Sequence, residues 1–344
     1  MRYVTLGTTG VRVSPLCLGA MMFGSWGNTD HDECVRIIHR ALDAGIDFVD
    51  TANVYSAGES EEIVGRALKG RRDDVVLATK FHAGVGPGPN DRGNNRKHIF
   101  QAVEDSLRRL DTDYIDLYQA HRPDPSVDVA ETLGALSDLV HQGKVRWIGS
   151  STFPASLIVA AQWASERRHL ERFVCEQPPY SILARTAEVE VLPTCAAHGM
   201  GTIVWSPLAG GWLSGKYRKG RPVEMTGRAA RIPARFDPAK PENQAKFEVV
   251  EALLALASAA GVALPVLGVA WTLVHPAVTS AIIGPRTMDQ LEQLLPAAET
   301  AIPGEVLDAI DAIVAPGATL NPADLGYENP HLRPERRRRT VTRT

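Results

Sequence analysis

The four cysteines, Cys17, Cys34, Cys175 and Cys195, form no CxxC pair and have no histidine at metal-ligand spacing. That pattern gives no support to a zinc site or a redox dithiol. They read as core thiols of a protein kept in a reducing compartment, with no metal. No segment reaches the roughly 18 consecutive apolar residues of a membrane span. The opening MRYVTLGTTGVRVSPLCLG has no long apolar run after its arginine, unlike a secretory leader. The expectation is a soluble, cytoplasmic chain with no membrane partner. Nucleotide motifs are missing too: there is no GxGxxG and no GxxxxGK[ST], and GVGPGP has the wrong spacing. HExxH and GxSxG are absent, and no tyrosine is followed four residues later by lysine. A nicotinamide cofactor would therefore have to be held by the rim of a barrel. Charge of one sign is also lacking, since the net value is −3 over 344 residues. Arg333–Thr344 alone carries +5, leaving −8 for the remainder, so the body has no nucleic-acid character. Residues 331–344 read as a basic, disordered tail after a single domain spanning 1–330.

What the chain does have is a regular alternation. Strand-like runs occur at PLCLGAM, GIDFVD, DVVLATK, YIDLYQAH, KVRWIGSS, FVCEQPPY, TIVWSPL and VTSAIIG. Helix-like stretches between them fit Asp32–Ala44, Asn95–Leu110, Val129–His141, Pro154–Arg168, Thr186–His198 and Thr287–Ala298. In the second of these, Ile99, Val103, Leu107 and Leu110 share one face. Strand then helix, eight times over, predicts parallel strands with right-handed crossovers closing into a (β/α)8 barrel. YVTLGTTGVRVS reads as a hairpin plugging the lower end. Two stretches break the rhythm: HAGVGPGPNDRGNN after the third strand, and residues 206–243. The latter holds Lys216, Arg218, Lys219, Arg221, Arg228, Arg231 and Arg235 against Glu224. Such a long connection is a solvated loop or a cover over an anionic ligand.

Four residues sit just beyond separate strand-like runs: Asp50, Tyr55, Lys80 and His121. At the C-terminal rim of a barrel they would converge. A phenol ordinarily titrates near ~10. Beside a lysine ammonium and its carboxylate partner it becomes a usable general acid. His121 would then orient a carbonyl oxygen.

The motifs resemble the aldo-keto reductase superfamily over nearly the whole chain, from LGTTGVRVSPLCLG to IIGPRTMDQLEQL. DTANVYSAGESEEIVGRAL is similar to its most specific signature, and ALDAGIDFVDTA and LYQAHRPDP agree with it. The resemblance implies that Asp50, Tyr55, Lys80 and His121 are the catalytic tetrad and that the cofactor is NADPH/NADP+. It places a stacking aromatic on Trp205 and a pyrophosphate turn on Ser206, Leu208, Gly210 and Lys216. Arg286 falls where a 2′-phosphate is held and Gln290 on the adenine side, with Gly284, Met21 and Asp50 also against the cofactor. Ser151 and Gln177 match the carboxamide residues. Thr152 stands where asparagine is usual, and Leu294 where an adenine-contacting asparagine often lies. An arginine fork suits a phosphate better than a ribose hydroxyl, which favours NADPH over NADH.

The function so implied is reduction of an aldehyde or ketone. Met21, Met22, Phe23 and Trp26 offer an apolar wall and the third loop polar donors, which would suit a keto sugar or a polyhydroxylated ring ketone. Two other readings stay open. One is a nicotinamide-binding regulatory protein on the same fold, like the channel β subunits; the other is a barrel isomerase or aldolase using Lys80 as a Schiff base. Oligomeric state is not readable from the residues.

Overall fold

The computed structural model describes residues 1–225 and 228–337. Eight parallel strands close into a barrel: β3 (Leu16–Gly19), β4 (Phe48–Asp50), β5 (Val76–Phe81), β6 (Ile115–Ala120), β7 (Val145–Ser151), β8 (Phe173–Gln177), β9 (Gly201–Val204) and β10 (Ser280–Ile283). They follow chain order around the ring, and β10 closes it by pairing with both β9 and β3. Their residues are buried almost throughout, as expected of parallel strands covered on both faces. Ahead of the barrel, β1 (Val4–Thr5) pairs antiparallel with β2 (Arg12–Val13). This hairpin seals the floor: Leu6 and Val13 pack with Cys17, Phe48, Ala78, Leu117, Cys175 and Ile203 from the barrel interior. Gly201 makes the fit possible, because a Cβ there would lie 2.5 Å from the Leu6 side chain and 3.0 Å from the Gly7 nitrogen.

The outer helices follow the predicted pattern with local corrections. His31–Asp43 is capped by the Asp30 carboxylate, which accepts from the Glu33 amide, and Arg96–Leu110 by Asn95, which accepts from His98. Val129–His141 matches the expected bounds, and Ala155–Arg168 starts one residue late. The stretch Thr186–His198 is broken at Glu190 (φ −135°, ψ −41°) into a 3-10 turn, Thr186–Glu188, and a short helix, Val191–Ala197. Thr287 caps Met288–Leu294, after which Leu295–Ala298 tightens to 3-10 geometry. Pro296 lacks the amide proton an α-turn would need there.

The long connection after β9 is more ordered than its composition suggests. It contains 3-10 turns at Ala209–Ser214 and Pro233–Arg235 and a helical turn at Arg228–Arg231, and Pro241–Ala259 and Leu264–Val274 follow as helices. In the predicted tail, Pro330–Leu332 and Pro334–Arg337 form short helical turns; its last seven residues, 338–344, lie outside the described residues. No single described helix is long and apolar enough to cross a membrane. All four cysteines are buried free thiols.

Candidate active site

The four residues converge at one end of the barrel because of register. Asp50 ends β4 opposite Ala78 of β5, so Lys80, two residues further along β5, emerges on the same inward face. Lys80 Nζ donates to Asp50 Oδ2 at 2.6 Å, to the Thr51 carbonyl at 2.7 Å and to Tyr55 Oη at 3.3 Å. The lysine is fully buried and Asp50 is 2% exposed. Asp50 Oδ1 accepts from the side-chain amides of Gln119 and Gln177 at 3.2 and 3.0 Å. Burial opposes the lysine's charge, but Asp50 and Tyr55 outweigh it and leave its pKa raised. Lys80 is therefore an ammonium fixed by three acceptors.

Tyr55 opens a tight turn, Tyr55–Gly58, in which Ser56 and Ala57 take left-handed backbone at φ 49° and 58°. That conformation costs energy for residues with a Cβ. The Ser56 hydroxyl offsets it by donating to the Phe23 carbonyl and accepting from the Trp26 amide. The phenol ring meets His121 edge-on, with centroids 5.7 Å apart, and Trp26 at 5.9 Å. His121 follows β6, and its pKa is held well below the usual value by burial, then by Arg122, Lys80 and His82. It is a neutral imidazole at pH 7.

Around this centre lies a cleft of about 1570 Å³, larger than the ~300–1,000 Å³ typical of sites for a single small ligand. Asp50, Tyr55 and His121 line it with Met21, Ser151, Gln177, Trp205, Ser206, Leu208, Gly210, Lys216, Gly284, Arg286, Gln290 and Leu294. Lys80 does not, since it stands behind Tyr55. Thr152 does not either: it has φ 61°, and its amide donates to the Gln177 carbonyl. Met22 and Trp26 are on the wall as expected, whereas Phe23 is wholly buried in the main core. Loop residues 82–95 contribute nothing to the lining. Several of their polar groups are engaged elsewhere, as His82 Nδ1 with Asn94 Oδ1, the Gly88 amide with Asp91, and Asn94 Nδ2 with the Arg122 carbonyl.

The basic connection divides in two. Arg218 and Lys219 pair outward with Glu251 and Glu248, and Arg235 pairs with buried Asp324, which also holds Lys246. Lys216 and Arg221 face the cleft, and Arg231 stacks over Trp26 at 4.6 Å. The side chain of Arg228 lies outside the described residues. Gly210 and Gly211 have φ 73° and 105°, backbone that glycine adopts without strain, and their amides donate within the turn to Ser206 Oγ and the Leu208 carbonyl. Trp205 Nε1 is buried without a partner among the described residues. Arg286 makes no side-chain ion pair among the described residues, and its amide donates to Gln290 Oε1.

Sequence reasoning missed several residues. Gln119 ties Asp50 to Gln177, and Ala323 and Gly326 line the cleft from the C-terminal segment. Arg122 also lines it; its one signal was its place directly after His121. Glu176, next to Gln177, is fully buried and accepts from Ser150 Oγ and the Phe153 amide at 2.5 and 3.1 Å. Burial pushes its carboxyl up to about 7. A carboxyl raised in the folded state makes stability fall as pH rises from its unfolded value toward the folded one. Between about pH 4.5 and 7 this loss is on the order of 3 kcal/mol. In Glu176→Gln, urea midpoints measured from pH 5 to 8 should decline less than in the wild type. Equal declines would mean the carboxyl is not buried as described.

A model described as "Aldo/keto reductase family" matches residues 15–315. An uncharacterized oxidoreductase of Bacillus subtilis is 41% identical over 91% of this chain and 96% of its own length. A probable voltage-gated potassium channel subunit beta of Arabidopsis thaliana is 37% identical over 91% and 97%. The versiconal hemiacetal acetate reductase of Aspergillus parasiticus is 32% identical over 92% and 98%.

Proposed function

Because the chain belongs to the aldo/keto reductase family, we propose that it is an NADPH-dependent reductase of aldehydes or ketones with Tyr55 as the proton donor. The observation that carries this is the buried Asp50–Lys80–Tyr55 chain opening onto the cleft. Bound NADPH would supply hydride to the carbonyl carbon. Trp205, with its large apolar face, and Ser151 with Gln177 would hold the nicotinamide end. The Ser206–Lys216 turn would receive the pyrophosphate, and Arg286 and Gln290 the adenosine end.

The chain's own residues then handle the proton. His121, neutral and partly shielded, donates a hydrogen bond that orients the carbonyl oxygen without adding a charge. Tyr55 Oη gives up its proton to that oxygen as negative charge builds there. Lys80 stabilises the phenolate left behind, and Asp50 with its two amide donors keeps the ammonium in place. The same geometry disfavours a Schiff base, since Lys80 is a hydrogen-bonded, charged ammonium rather than a free amine.

NADPH rather than NADH is supported by the Arg286 guanidinium, which has no ion-pair partner among the described residues. In Arg286→Ala, titrations should show NADPH binding weakened roughly 10- to 100-fold and NADH little changed. Equal losses would mean Arg286 points elsewhere. The Arabidopsis relative's name supports a second reading, a nicotinamide-binding regulatory subunit that keeps the tetrad. Following NADPH oxidation with simple aldehydes separates the two, since the regulatory reading expects binding without appreciable turnover.

A further inference from the structure

Arg122 is the residue the tetrad leaves unused. One of its five N–H donors, on Nη1, goes to the carbonyl of its own neighbour His121 at 2.6 Å. Its guanidinium carbon lies 5.8 Å from the Trp205 ring centre. Arg122 is half-buried, whereas the buried arginines among the described residues are neutralised: Arg185 by Glu188 and Asp311, Arg235 by Asp324. Arg122 has no carboxylate at ion-pair distance among the described residues. Burial lowers its pKa, and the neighbouring Tyr55 hydroxyl and Glu176 carboxyl only partly oppose that. Glu176 meanwhile gives its oxygens to Ser150 and Phe153. A partly desolvated cation without a counter-charge carries a cost, and this one lines the cleft beside Tyr55 and His121.

The 2′-phosphate assigned to Arg286 does not account for it. Arg286 follows β10, and β6, which delivers Arg122, stands four strands away on the opposite side of the ring. The cleft's other acidic lining residues are Asp50, already committed to Lys80, and exposed Glu224. Arg231, stacked on Trp26, adds a second positive group near the reacting end, also without a carboxylate among the influences on it.

We propose that Arg122 receives an anionic group of the substrate, so that the carbonyl compound reduced here carries a carboxylate or a phosphate. The proposal rests on the reductase reading and narrows its substrate class. A guanidinium fork matches either anion through paired hydrogen bonds, and the group would sit to one side of the carbonyl that Tyr55 and His121 hold.

The test compares matched aldehydes with NADPH: 4-carboxybenzaldehyde against 4-methylbenzaldehyde, and glyceraldehyde 3-phosphate against glyceraldehyde. The wild type should favour the charged member of at least one pair in kcat/KM, and the pair that responds identifies the anion. Arg122→Met should reduce that charged-to-neutral ratio roughly 10- to 100-fold, and Arg122→Lys should restore part of it. No preference in the wild type, or a preference that survives in Arg122→Met, overturns the proposal. Absence of turnover with every aldehyde counts against the reductase reading instead. Arg122 is then decided by calorimetric titration of benzoate and of inorganic phosphate into the NADP+-loaded protein. Saturable binding of either that is lost in Arg122→Met supports it, and equal or absent binding in both proteins sinks it.

Discussion

Tyr55→Phe is expected to lower carbonyl reduction by about 10²-fold or more while leaving NADPH affinity nearly unchanged. Only the hydroxyl is removed, and the ring keeps its contacts with Trp26 and His121. The hydroxyl is also the third acceptor of the Lys80 ammonium, but Asp50 and the Thr51 carbonyl remain to hold that charge. The loss should therefore appear in kcat, with cofactor binding followed by quenching of tryptophan fluorescence. A variant that retained most of its turnover would remove Tyr55 from the role of acid.

Lys80→Met should have the larger effect, because it removes both a chemical partner and a structural one. Breaking a buried pair from one side costs about 3–5 kcal/mol, since the remaining charge keeps its desolvation without its counter-ion. Here Asp50 retains Gln119 and Gln177 as donors, which argues for the lower end of that range. Urea unfolding should report the loss, and turnover should fall at least as far as in Tyr55→Phe. Adding Asp50→Asn to Lys80→Met should recover part of the stability and none of the activity. If Lys80→Met unfolds at the wild-type midpoint, the buried pair is not as described.

The barrel was legible because its signal repeats. Eight apolar runs separated by helical periods leave few alternatives, and the tetrad follows from where those runs end. Errors came where local chemistry overrode period. Thr287–Ala298 reads as one helix until Pro296 is considered, and Phe23 reads as part of a wall until the turn beside it buries the ring. The polar stretch 82–95 looked like a source of substrate contacts, yet none of it lines the cleft, and its bonds run within the loop and to residues 122 and 124. Arg122 and Glu176 carried no spacing signature at all. Each is an ordinary residue beside a conspicuous one, and only the direction of the side chain distinguishes a cleft-facing guanidinium from a surface arginine. Gln119 escaped for the same reason, since its value lies in joining two residues far apart in the chain.

The bond between Arg235 and Asp324 joins positions 89 residues apart, and Lys246 shares the same carboxylate. It works as a clasp: the far end of the chain fastens the segment that roofs the cleft, with Asn321 adding bonds to the Ala234 carbonyl and Asn243. The roof and the C-terminal segment therefore form one mechanical unit, joined also through Lys246 on the helix Pro241–Ala259. Trimming the chain ahead of residue 321 would leave two desolvated cations facing one another and free the roof at its inner edge. An appendage joined beyond residue 337 would leave the clasp intact.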